Sequence, residues 1–185
     1  MRKILILASA CITLLACNNE QKPEADTKMA SAKPDSSSAK PQSEFADAKY
    51  AEWGKKQMVQ FETGDMDGWL SGFADNAVYR WSSGDSLSGK AKIAEYWKKR
   101  RTEVIDSIKF TNDIWLPIKV NVPQKGPDAP GIWLLNWYQV NVRYKNAKKL
   151  VFWVHTDYHF DSTDKVDIAI QYIDRAPINA ALAKK

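Results

Sequence analysis

Cysteine is nearly absent from this chain. The two present, Cys11 and Cys17, both precede residue 18 of the 185, so everything downstream is free of thiols. Disulfides, cysteine–metal centres and cysteine nucleophiles are excluded from any domain that follows. Histidine is as scarce, with only His155 and His159. Spaced by four along a strand they would stand roughly 13 Å apart, too far to share one ion, so no metal is expected. There is no glycine-rich phosphate loop, serine-nucleophile elbow or histidine–glutamate zinc pattern, and no cofactor is expected. No apolar run reaches the roughly 20 residues that a membrane-spanning helix needs. Neither charge dominates: 27 Lys and Arg face 22 Asp and Glu. The one dense basic cluster, Lys98 to Arg101, reads as a solvated helix face and not as a nucleic-acid stripe.

The N-terminus has a positive start at Arg2 and Lys3, an apolar run from Ile4 to Ala16, and then polar Asn18, Asn19 and Glu20. An apolar core of about 13 residues before a small residue describes a secretory signal peptide. Leu14-Leu15-Ala16-Cys17 resembles the lipobox of bacterial lipoproteins. That resemblance implies cleavage before Cys17 and diacylation of its thiol, with residues 1–16 as the signal peptide. The mature protein would be an exported, lipid-anchored component of the bacterial cell envelope, facing the periplasm or the outer membrane. Residues 17–43 hold no aromatic residue and no Ile, Leu or Val. They read as a disordered tether with a root-mean-square reach of roughly 28 Å.

All the aromatic residues (8 Trp, 7 Tyr and 6 Phe) lie from Phe45 onward. Residues 44–178 are sized as one domain, with 179–185 as a C-terminal tail. Ala46, Tyr50, Trp53, Gln57 and Phe61 recur at spacings of three and four. This predicts a helix over 43–63, with Ser43 as N-cap and Gly64 as its end. Asp65 can cap a short second helix carrying Met66, Trp69, Leu70 and Phe73. Ala77 to Trp81 reads as a strand, 82–85 as a turn and 86–88 as its return. A third helix is expected over 90–106, with Ile93, Trp97, Val104 and Ile105 inward. From Ile108 to Val122 apolar residues alternate with polar ones, a strand in which Pro117 marks a bulge or an edge. After a loop at 123–130, strands at 132–144, 149–160 and 165–174 are joined by tight links, hence an antiparallel meander.

This order resembles the nuclear transport factor 2-like (SnoaL-like) superfamily. The residues that carry the resemblance are Gly64-Asp65 after the first helix, Leu70-Ser71-Gly72-Phe73-Ala74-Asp75-Asn76-Ala77-Val78, and Leu87-Ser88-Gly89-Lys90 with Ile93 and Tyr96-Trp97. At the end come Phe160, Lys165-Val166 and Tyr172-Ile173-Asp174. The usual Gly-Lys turn before the last strand is Asp164-Lys165 here. The resemblance implies an α+β, cone-shaped fold: three N-terminal helices packed on a curved antiparallel sheet, with a pocket between. The superfamily includes isomerases, cyclases, dehydratases, binders and assembly modules, so the fold leaves the function open.

Counting back from links of two or four residues sets Tyr138 opposite His155 and Asn136 opposite Asp157. One face then carries Asn136, Tyr138, Val140 and Val142 with Trp153, His155, Asp157, Tyr172 and Asp174. The other carries Trp133, Leu135 and Trp137 with Phe152, Val154, Tyr158, Phe160 and Gln171. One residue of slip would exchange the faces. On this count the candidate pocket wall is Tyr138, Trp153, His155, Tyr172 and Asp174. His155 can hydrogen-bond a ligand or shuttle a proton, or be a half-buried residue satisfied by neighbouring hydroxyls. Several enzymes of the resembled family place an acid on the last strand, which would be Asp174. The favoured reading of this residue is blander, a strand-end cap or a partner for Arg175. His159 is expected to be exposed. The preferred reading is a lipid-anchored domain that binds an unknown small molecule. An alternative is an isomerase, cyclase or dehydratase using His155 and Asp174 for acid–base chemistry. The third is an assembly module. A homodimer through the outer sheet face is expected, because the helices can cover only one side.

Stable anchoring takes more than one acyl chain. Cys17→Ala is therefore expected to abolish acylation and move the protein from the membrane to the soluble fraction of its native host. Finding the wild type itself soluble and unmodified, by fractionation and mass spectrometry of its N-terminal peptide, would overturn the assignment.

Overall fold

A computed structural model describes residues 40–124 and 129–183. The expected signal peptide, Cys17 and nearly all of the tether lie outside the described residues.

The first element is a strand, not a helix: β1 (Ser43–Phe45) pairs with the residues around Lys119. Ser43 is therefore no helix cap. Helix α1 (Lys49–Thr63) starts six residues later and buries Tyr50, Gly54, Gln57 and Phe61, the expected face. Gly64 ends it in the left-handed conformation at φ 83°, where glycine has no Cβ to clash. Asp65 caps α2 (Met66–Ser71) by accepting from the Gly68 N–H at 2.9 Å. Strand β2 (Phe73–Trp81) turns into β3 (Ser86–Ser88), and α3 (Lys90–Lys99) follows. The third helix ends earlier than expected, in a π turn over Arg100–Val104. Then come β4 (Ile105–Val120), β5 (Gly131–Tyr144), β6 (Lys149–Phe160), β7 (Val166–Tyr172) and a last helix, α4 (Ala176–Leu182).

The seven strands form one sheet in the order β1-β4-β5-β6-β7-β2-β3. It is mixed, because β2 runs parallel to β7. Tight hairpins force antiparallel neighbours, but no short link joins β2 to β7, and local pattern cannot show their pairing. The expected fully antiparallel sheet and purely N-terminal helices are both corrected here. Helices α1 to α3 cover the inner face, and Ile93 of α3 with Leu134, Val166 and Ala169 of the sheet are sealed between the layers at 0% exposure. Gly54 sits mid-helix for contact's sake: a Cβ there would lie 2.2 Å from the Trp115 ring. Arg101 is not a solvated cation. Its guanidinium donates to the carbonyls of Phe61 (3.1 Å) and Glu62 (2.9 Å), closing the C-terminal end of α1.

The two hairpin links decide which side chains face inward. Tyr144 N–H donates to the Lys148 carbonyl, and Ala147 N–H donates back to Tyr144. The loop is thus three residues, 145–147, with Ala147 left-handed at φ 67°. The next link repeats this with Asp164 at φ 57°. Three-residue hairpins of this kind place a left-handed residue last. Tyr138 therefore pairs with Val154, and Trp137 with His155, one residue off the expected register. A bulge between His159 and Phe160 adds a second slip, so His155 pairs with Tyr172. The two slips cancel between β6 and β7. Relative to β5, both strands show the opposite face from the one expected.

An L-residue in the left-handed region is strained by about 1–2 kcal/mol, and the larger unfolded-state freedom of glycine offsets roughly half of any relief. Ala147→Gly is expected to stabilise the domain by about 0.5–1 kcal/mol in denaturant titrations. A loss of stability would contradict the three-residue loop.

Candidate functional site

Between α1, α3 and the inner sheet face lies a cavity of ≈ 100 Å³. At roughly 10–15 Å³ of such space per water, it accepts the equivalent of about seven to ten waters, the size of a small substituted ring. Its walls are mostly apolar: Met58 and Phe61 from α1, Phe110 and Trp115 from β4, Val140 from β5, Phe152 and Val154 from β6 and Ile178 from α4. The polar groups among them fall into two sets.

The first set is closed on itself. Trp81 Nε1 donates to Gln171 Oε1 (3.0 Å), which orients that amide so that Nε2 donates to the Tyr138 hydroxyl (3.3 Å). Tyr138 meets Thr156 Oγ1 at 3.1 Å. All four are buried, Thr156 completely. Burial raises the pKa of Tyr138, and raises those of Tyr79 and Tyr158 well above the ordinary phenol value. These hydroxyls stay neutral at physiological pH.

The second set is open. Gln60 Nε2 donates to the Asp65 carboxylate (3.4 Å), and Gln57 Nε2 donates to Gln60 Oε1 (3.1 Å). A carboxylate only accepts, so this chain fixes both amides and leaves Gln57 Oε1 as an acceptor. Gln57 Oε1 is buried and unpartnered among the described residues, and so is the Trp97 Nε1 donor. Both residues line the cavity, as does Arg100.

Of the residues expected to form the pocket wall, only Tyr138 does. Trp153 is 53% exposed and Tyr172 40% exposed on the opposite, outer face. His155 lies between them in the sheet, stacked on Trp137 (ring centroids 4.3 Å, planes at 18°) and on Tyr172 (5.4 Å, 25°). Its Nδ1 stands 3.1 Å from the Asn136 carbonyl, so that nitrogen carries the proton. Its Nε2 is 2.8 Å from Asp157 Oδ1. Burial raises the Asp157 pKa, with His155 pulling the other way. Asp174 accepts from the Ala176 N–H at 2.9 Å and caps the start of α4, the bland alternative. His159 is buried, not exposed: it bonds Asp167 (2.6 Å) and the Pro130 carbonyl (3.1 Å), fastening the β4–β5 loop to β6. Among the described residues, no three His, Cys, Asp or Glu side chains form a group able to hold a metal.

Sequence reasoning missed Gln171, Arg100 and the two open atoms. Gln171 was lost with the register. Arg100 was absorbed into the basic cluster, yet it falls three residues after Trp97 and seven after Ile93, on the inward face of the helix. Gln57 was visible as a polar residue in a row of aromatics.

No protein-family model matches the chain, and no curated protein matches it. Solved structures do. A nuclear transport factor 2-like protein of unknown function from Burkholderia pseudomallei aligns over 72% of this chain and 97% of its own, at 11% identity and TM-score 0.57. A Catenulispora acidiphila protein with a ketosteroid isomerase-like fold, in complex with trimethylamine, aligns over 70% and 91%, at 9% identity and TM-score 0.51. An epoxide hydrolase of M. tuberculosis aligns over 71% and 86%, at 14% identity and TM-score 0.50. At these identities the likeness concerns architecture, and the domain has the nuclear transport factor 2-like fold.

Proposed function

We propose that this domain binds a small, largely apolar molecule in the cavity beneath α1, without acid–base chemistry. One observation carries the reading: among the described residues, no Asp, Glu, His, Lys or Cys lines the cavity. A general base must reach its proton within about 3 Å, and the phenols at hand are held neutral by burial. The enzyme alternative, favoured by the hydrolase and isomerase-like neighbours, would have to work with tyrosine and arginine donors alone. Lipid anchoring at Cys17 remains part of the proposal, on the resemblance of residues 14–17 to a lipobox.

Native mass spectrometry of the protein from its own cells is expected to show a retained non-covalent mass. Val140→Trp, which fills the cavity, is expected to lose it, while His155→Ala and Asp174→Asn keep it. Retention in a folded Val140→Trp variant, or loss in His155→Ala, would overturn the assignment.

We further infer that the outer sheet face pairs with a second copy of the chain. Ile114 (56% exposed), Val151 (60%), Trp153 and Tyr172 form an apolar surface there, continuous with Trp137 and the stacked His155. Monomers rarely leave such a patch uncovered. Of the expected interface residues Trp133, Leu135, Trp137, Phe152 and Tyr158, Phe152 and Tyr158 line the cavity instead. Trp153→Lys is expected to halve the mass found by light scattering at micromolar concentration. A monomeric wild type would refute the pairing.

A further inference from the structure

At the end of the cavity nearest α4 a second, smaller space of ≈ 50 Å³ opens. Trp97, Arg100, Gln171, Ile173 and Ile178 line both spaces and stand between them. Arg100 differs from its helix neighbours Lys98 and Arg101, and from Arg175 in the smaller space, in how it is used. Lys98 pairs with Asp67 at 2.5 Å, Arg101 is taken by the α1 carbonyls, and Arg175 pairs with Asp85 at 2.6 Å while lying over the Trp81 ring. Arg100 has no carboxylate partner among the described residues. Its partner is the neutral Tyr144 hydroxyl, which accepts a hydrogen bond from the guanidinium. The backbone singles it out too, since the helix widens into its π turn at Arg100, a departure frequent at functional sites. Beside it is the buried Trp97 N–H without an acceptor. The neck thus offers a guanidinium and an indole N–H and no negative charge. A half-buried cation without a counterion is unfavourable.

We propose that this neck holds the carboxylate of the bound molecule, so that the ligand is a small aromatic or apolar organic acid. Arg100 takes the carboxylate charge, Trp97 Nε1–H donates to it, and the ring lies against Phe110, Trp115 and Val140. Gln57 Oε1, on the α1 side, accepts from a hydroxyl or amine on the ring where one is present. This rests on the cavity being the binding site and adds the charge of what it binds.

The test uses a matched pair, phenylacetate and phenylacetamide, titrated at neutral pH with tryptophan fluorescence and calorimetry. The two differ in charge and scarcely in shape. A charge-assisted bond predicts that the wild type prefers the acid by roughly tenfold to a hundredfold. Arg100→Met is expected to erase that preference by weakening the acid far more than the amide, whose carbonyl accepts only an uncharged-acceptor bond, and Arg100→Lys to keep part of it, because ammonium lacks the planar fork. Should Arg100→Met fail to fold, an undiminished preference in Arg100→Lys overturns the role of the fork. Equal affinities in the wild type, or a preference that survives Arg100→Met, overturn the acid site and leave the cavity reading standing. Absence of binding by either probe overturns both.

Discussion

Everything about the site depends on one constraint: strand side chains alternate, so the length of a hairpin loop decides which of them a cavity receives. Here that length is set by Ala147. In the left-handed conformation it makes the β5–β6 loop three residues long and brings Phe152, Val154, Thr156 and Tyr158 beneath the helices. With an even loop, His155 and Asp157 would have faced the cavity. The strain in Ala147 is tolerated because β5 and β6 pair along twelve positions. Asp164 repeats the geometry with more support, since Tyr50 (2.7 Å) and Lys49 (2.8 Å) hold its carboxylate against the start of α1.

The cavity then combines two kinds of polar chemistry. The chain from Trp81 through Gln171 and Tyr138 to Thr156 satisfies itself, which is how a buried network comes to rigidify its surroundings. Gln57 Oε1, Trp97 Nε1 and Arg100 are not so closed. An unpaired buried polar atom disfavours the folded state by about 1–3 kcal/mol. Two around one cavity, beside a guanidinium with no carboxylate partner among the described residues, are better explained by a partner than by chance. The geometry of α1 also serves this wall: Gly54 admits the Trp115 ring, and the amide chain from Asp65 through Gln60 aims Gln57.

Much of this architecture was legible in the sequence, and what was not has a common cause. The aromatic spacing of α1, the Asp65 cap, the β2–β3 turn and the three long C-terminal strands are all local patterns. The short β1 and the parallel β2–β7 pairing depend on contacts far apart in sequence. The two loops carry Ala and Asp where glycine or asparagine would have announced a left-handed residue. The loop register accounts for three of the candidate residues: Tyr138 on β5 faces the cavity, while Trp153, His155 and Tyr172 are carried together to the outer face; Asp174 lies beyond β7 and caps α4. Arg100 was hidden differently. In composition it belonged to a basic run, and only helical spacing from Ile93 and Trp97 distinguished it.

The same register separates the His155–Asp157 pair from the cavity. His155 and Asp157 are the pair whose setting most resembles a proton-transfer site, with Asp157 raised by burial and His155 sandwiched between Trp137 and Tyr172. They lie across the sheet from the cavity, and no rotamer carries a side chain through a hydrogen-bonded ladder. Asp174 is occupied at the start of α4. What faces the cavity instead, neutral phenols, an indole N–H, an amide oxygen and a guanidinium, can orient a molecule and hold its charge. Buried tyrosines with raised pKa donate hydrogen bonds but do not accept protons near neutrality. The cavity and the carboxylate–imidazole pair therefore occupy opposite faces of one sheet, and the outer pair lies on the face that the proposed second copy would cover.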